Sequence, residues 1–89
     1  MSEEKRTRQQ DAVLVCLANS DGPLTTTTMI AAFAKAGSKR RFGQEELNDL
    51  LAGLKKQGLV DEVGNEIFRI TGQGRTALGP VAERPLSEI

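Results

Sequence analysis

Four leucines, Leu47, Leu50, Leu51 and Leu54, repeat at i, i+3, i+4 and i+7 and are followed by a stop at Gly58. This spacing puts all four on one stripe of a helix and demands an apolar surface to receive it. Gln44, Glu45 and Glu46 open the segment, where carboxylates suit the positive end of the helix dipole. Lys55 and Lys56 fall in its last turn, where cations are favoured. A short amphipathic helix is marginal alone, so the rest of an 89-residue chain must supply its cover.

The segments upstream meet that demand with two more helices. Thr7-Arg8-Gln9-Gln10 has the capping-box pattern, with Thr7 as N-cap and Gln10 reaching back. It predicts a helix from Arg8 to about Asn19, with Val13, Leu14, Leu17 and Ala18 inward. Val15 and Cys16 widen its apolar surface. Ser20-Asp21-Gly22-Pro23 is a dense turn signal. Leu24 then plugs the core, and one of Thr25 to Thr27 caps a second helix. The threonine run reads as caps and a solvated first turn, with phosphate contact as the other reading. Ile30, Phe33 and Ala34 are expected inward, and Gly37 follows the helix end at Ala36 as a C′ residue.

Downstream, Leu59–Val63 and Glu66–Ile70 are β-prone runs around Gly64-Asn65, which suits a two-residue hairpin loop. That register sets Leu59 against Ile70 and Asp61 against Phe68, with Leu59, Phe68 and Ile70 on the core face. Thr71 caps a short helical turn that reaches Leu78. The fold class predicted is mainly α with a small antiparallel β-hairpin. The organisation predicted is a charged arm over 1–7, one domain over 8–79 and a flexible tail over 80–89.

The stretch Leu51-Ala52-Gly53-Leu54-Lys55-Lys56-Gln57-Gly58-Leu59-Val60 runs into the hairpin. Phe68-Arg69-Ile70-Thr71-Gly72-Gln73-Gly74-Arg75-Thr76-Ala77-Leu78 leaves it. Together they resemble winged helix-turn-helix transcription regulators of the MarR- and PadR-like families. The resemblance covers about residues 8–79. It implies three helices plus a wing, with the third helix entering the major groove of duplex DNA. The connector before that helix, Ser38-Lys39-Arg40-Arg41-Phe42-Gly43, is longer than the usual turn, and the long dimerisation helices of MarR-like proteins have no counterpart.

On that reading the DNA-binding residues are Lys39, Arg40, Arg41, Gln44 and Asn48. The three cations would meet phosphates, and Gln44 and Asn48 could pair with adenine edges. Lys5, Arg6 and Arg8 could form a second basic strip. The hairpin tip offers no cation, since Asp61, Glu62, Val63, Gly64, Asn65 and Glu66 surround it. Twelve basic residues balance twelve acidic ones, which is not the usual footprint of a nucleic-acid binder. The alternative is therefore a protein–protein interaction module that uses the mixed-charge third helix and the acidic hairpin. A homodimer joined through Val15 and Cys16 is a further expectation.

Other classes are disfavoured. The chain has no histidine, no phosphate-binding glycine loop and no metal-ligand cluster, so neither an enzyme nor a cofactor is expected. Hydrophobic residues are 38% of the chain, and no run reaches the roughly 20 apolar residues of a membrane span. No apolar leader is visible, and the lone Cys16 permits no internal disulfide, so a reducing, cytoplasmic setting is expected. Cys16 itself reads as a small buried hydrophobe.

Overall fold

A computed structural model of the chain describes residues 7–39 and 41–86. The order is α1 (Arg8–Ala18), β1 (Leu24–Thr25), α2 (Thr26–Lys35), α3 (Gln44–Lys56), β2 (Val60–Gly64), β3 (Ile67–Ile70) and α4 (Gly72–Leu78). A 3-10 turn over Gly79–Glu83 follows α4. The protein is mainly helical, with a small antiparallel sheet in the order β1-β3-β2.

Local signals account for the helix ends. Thr7 accepts from the Gln10 amide at 3.1 Å, and the Gln10 side chain accepts from the Thr7 amide at 3.0 Å, which completes the capping box. Thr25 caps α2 by accepting from the Thr28 amide, and Thr71 caps α4 by accepting from that of Gly74. Both α2 and α3 end with a glycine at positive φ, Gly37 at 74° and Gly58 at 77°. After α3 the Gly58 amide donates to the Lys55 carbonyl and the Leu59 amide to the Leu54 carbonyl. The same pair of bonds recurs from Gly37 to Ala34 and from Ser38 to Phe33. These are Schellman closures, which satisfy carbonyls that the helix leaves open.

The core lies where α1, α2, α3 and the sheet meet. Leu47, Leu51 and Leu54 are fully buried, and Leu50 packs at its margin. One expectation for α2 is corrected. Ala34 is exposed, whereas Ile30 packs half-buried against the core and Met29 is fully buried with Phe33. The fully buried stripe therefore runs Thr26, Met29, Phe33, with Ile30 at its margin, and is shifted away from Ala34. Phe33 also meets Phe42 edge-on, with ring centroids 5.0 Å apart.

α1 is buried on several sides. Val15 and Cys16 are enclosed by the chain itself, so they present no face to a second copy. The segment expected as a tail also packs against α1. Residues 79–83 are helical, and Val81, Ala82 and Leu86 pack against the core. The Asn19 side chain donates to the Arg84 carbonyl at 3.1 Å and fastens this segment to the end of α1.

Burial pushes the Cys16 thiol up from 9.0 to about 11. In the native protein it should not react with a disulfide reagent at pH 8, whereas the denatured chain should react. The sign of the linkage follows. Between about pH 9 and 11 the unfolded thiol ionises and the native one does not, so stability falls with rising pH by up to roughly 3 kcal/mol. Urea unfolding across this range should show that fall, and Cys16→Ala should remove it.

The hairpin differs in register from the expectation. Val60 pairs with Ile70, Asp61 with Arg69 and Glu62 with Phe68, and a bulge between Glu62 and Gly64 brings Gly64 opposite Ile67. The turn residues are thus Asn65 and Glu66, and the positive φ, 59°, falls on Glu66 rather than on a glycine. The reason lies at the other end. The Leu59 carbonyl accepts from the Thr71 amide at 3.0 Å, and the Thr71 hydroxyl donates to the Gly58 carbonyl at 2.8 Å. These bonds set Leu59 against Thr71, and the bulge absorbs the extra residue.

Candidate functional site

The solvent face of α3 carries Gln44, Glu45, Asn48, Asp49, Ala52 and Lys56, all exposed, as its leucine stripe requires. The surroundings of these side chains depend on Thr26, the first residue of α2, which is fully buried. The Gln44 amide donates to the Thr26 hydroxyl oxygen at 2.7 Å and to the Asn48 side-chain oxygen at 3.2 Å. The Thr26 backbone N–H donates to the Glu66 carbonyl at 3.1 Å, and its hydroxyl makes a long 3.4 Å contact with the Glu66 carboxylate. The start of α2, the start of α3 and the hairpin turn are thereby drawn together.

This changes the part that Gln44 can play. Reading an adenine edge needs the side-chain amide donor and its acceptor together. The donor of Gln44 is already shared between Thr26 and Asn48, so Gln44 joins α3 to α2 before any ligand arrives. Asn48 stands one turn on, at the edge of a groove described below.

Of the three connector cations, Lys39 is exposed, and Arg40 lies outside the described residues, as do Lys5 and Arg6. The Arg41 guanidinium donates to the Ser38 carbonyl, which braces the turn. Phe42 anchors the same turn by inserting against Phe33. Arg8 is exposed on the first turn of α1.

Between α3 and the hairpin runs an open groove of about 240 Å³, lined by Asn48, Ala52, Lys55, Glu62, Glu66 and Phe68. Lys55 and Glu62 form an ion pair across it at 3.1 Å. The Lys55 hydrogen bond is the main cause that holds the Glu62 carboxyl below the ordinary range. The pair is solvent-exposed and contributes little to stability. It does decide the charge of the groove, because it engages the one cation in the lining while Glu66 adds a second carboxylate.

A second cleft of similar size lies between the end of α1 and the sheet, with Asp21, Pro23, Arg69 and Arg75 in its lining. Its two cations each have a partner: Arg69 faces the Asp61 carboxylate at 3.8 Å, and Arg75 donates to the Ala18 carbonyl at 3.5 Å. No group of His, Cys, Asp and Glu among the described residues could hold a metal ion. No helix among them is long and apolar enough to cross a membrane.

Comparison with family models, curated proteins and solved structures found no match to the chain.

Sequence reasoning missed the parts of Thr26, Glu62 and Glu66. The four-threonine run marked the place of Thr26 but not which hydroxyl would be buried. Glu62 was legible only as one of several acids, because the expected register set Asp61, not Glu62, against Phe68.

Proposed function

We propose that this protein is a winged helix-turn-helix domain that binds duplex DNA, with β2 and β3 as its wing, and that it serves as a transcription regulator. The observation that carries the reading is the tie through Thr26. It gathers the first turns of α2 and α3 and the hairpin turn onto one side, with α3 presenting a polar face there. A helix held in this way by a helical partner is the element that enters a major groove in helix-turn-helix proteins.

Within that reading the residues divide by task. Lys39, Arg40 and Arg41 supply phosphate contacts at the entry to α3. Asn48 is the base-reading candidate. Gln44 is a positioning residue, since its amide is spent on Thr26 and Asn48. The wing turn, Asn65-Glu66, brings no cation, so the basic connector carries the electrostatic attraction.

Fluorescence anisotropy with a labelled duplex tests this. Salt-sensitive binding should appear at roughly micromolar to tens of micromolar protein at low salt. Lys39→Ala with Arg40→Ala should weaken binding to all sequences alike. It should also flatten the logarithmic salt slope by about 0.9 for each phosphate that is no longer neutralised. No salt-sensitive binding in that range, or an unchanged slope in the variant, overturns the reading.

A further inference from the structure

The groove between α3 and the hairpin has chemistry that a phosphate backbone does not fit. Its lining holds Ala52 and Phe68 as apolar surface, with Glu62 and Glu66 on the hairpin side. One lysine against two glutamates leaves it net negative, and Lys55 is already paired with Glu62. Glu45 and Asp49 are exposed on the same helix and extend the acidic character. A phosphate backbone is repelled by such a surface, and a cationic side chain is drawn to it.

We propose that this groove docks an arginine-bearing segment of a partner protein. The size suits one long side chain: about 240 Å³ holds a guanidinium and its methylene stem with room for water. The stem covers apolar surface from Ala52 and Phe68 while the head reaches carboxylate oxygens, which is how arginine divides between apolar and charged surroundings. A planar guanidinium with several donors can serve the exposed carboxylates of Glu66 and Glu62 at once, and a lysine ammonium matches two acceptors less well. Phe68 adds an aromatic ring beside the cation. The proposal does not rest on DNA binding: the phosphate contacts assigned above lie on the connector before α3, and of the groove lining only Asn48 is shared with the base-reading assignment.

The test uses the full chain, isotope-labelled, titrated with acetyl-Ala-Ala-Arg-Ala-Ala-amide and followed by NMR. The same peptide with Lys or Glu in place of Arg serves for comparison. Affinity on the order of millimolar is expected for so small a probe. Shifts should centre on Asn48, Ala52, Lys55, Glu62, Glu66 and Phe68, with Arg tighter than Lys and no response to Glu. Glu62→Gln with Glu66→Gln should weaken binding roughly fivefold. Asp61→Asn, which alters the carboxylate that faces Arg69, should leave it unchanged. Lys39→Ala with Arg40→Ala should not weaken peptide binding either, which separates this result from the DNA titration.

Equal weakening in Asp61→Asn, shifts scattered over all acidic residues, or no shift at all overturns the proposal. If duplex DNA shifts Lys55, Glu62, Glu66 and Phe68, and not Asn48 alone, the groove belongs to the DNA face and the proposal fails. If light scattering finds a dimer with the groove residues protected, a second copy occupies it and the proposal fails as well. Should the double glutamine variant not fold, the shift map of the unaltered chain decides.

Discussion

Gly74→Ala is expected to destabilise the protein by about 3 kcal/mol, whereas Gly72→Ala, two residues earlier in the same helix, is expected to be neutral or slightly stabilising. A β-carbon at Gly74 would collide with the backbone carbonyl oxygen of Leu59 and stand 2.7 Å from Cγ1 of Ile70. The carbonyl cannot easily give way, because it accepts from the Thr71 amide and sets the hairpin register. At Gly72 nothing lies within 4 Å of the added carbon. A domain of this size is stable by about 4–13 kcal/mol in all, so the Gly74 effect is a large share of it. Thermal melts should show Tm lowered by roughly 15 °C for Gly74→Ala and little changed for Gly72→Ala. Equal behaviour of the two variants would contradict the close packing of α4 on the hairpin exit.

Phe42→Ala should cost a comparable amount, about 3–4 kcal/mol, and should also alter the connector. Phe42 is buried in the basic turn between α2 and α3, and its ring meets Phe33 edge-on at 5.0 Å. Removing it forfeits apolar burial and a ring pair worth about 0.5–1.5 kcal/mol beyond that burial. It also releases the turn that carries Lys39, Arg40 and Arg41 ahead of α3. Urea unfolding measures the first effect, and amide hydrogen exchange across residues 38–43 the second. Phe42→Leu, which keeps most of the apolar volume, should recover more than half of the stability. If Phe42→Ala weakens DNA binding while the protein is still folded, the held turn contributes to binding; unchanged affinity would show that its cations need no fixed geometry.

The two predictions differ in how far the sequence foretold them. An aromatic inside a basic connector stands out in the sequence, but its burial against Phe33 is seen only in the structure. Gly72 and Gly74 look alike in sequence, and only contacts with Leu59 and Ile70 tell them apart. Met29 and Ala34 show the same limit: a threonine-rich first turn left the phase of α2 open, and packing chose Met29. The pairing of Leu24 with Phe68 was not visible, since a two-residue strand has no periodicity to detect.

The amino-acid sequence by itself determined where the three main helices begin and end and which face of α3 turns inward. Those features depend on residues within about one helical turn of each other: Thr7 with Gln10, Thr25 with Thr28, and the leucines with Gly58. Tertiary structure alone decided the hairpin register, and with it the site. A single residue of slip exchanges the two faces of a strand. The anchoring of Thr71 on Gly58 and Leu59, followed by the bulge, sets Glu62 rather than Asp61 opposite Phe68. That placement puts a carboxylate beside Lys55 and makes the groove acidic, a result of contacts between segments that no local signal encodes.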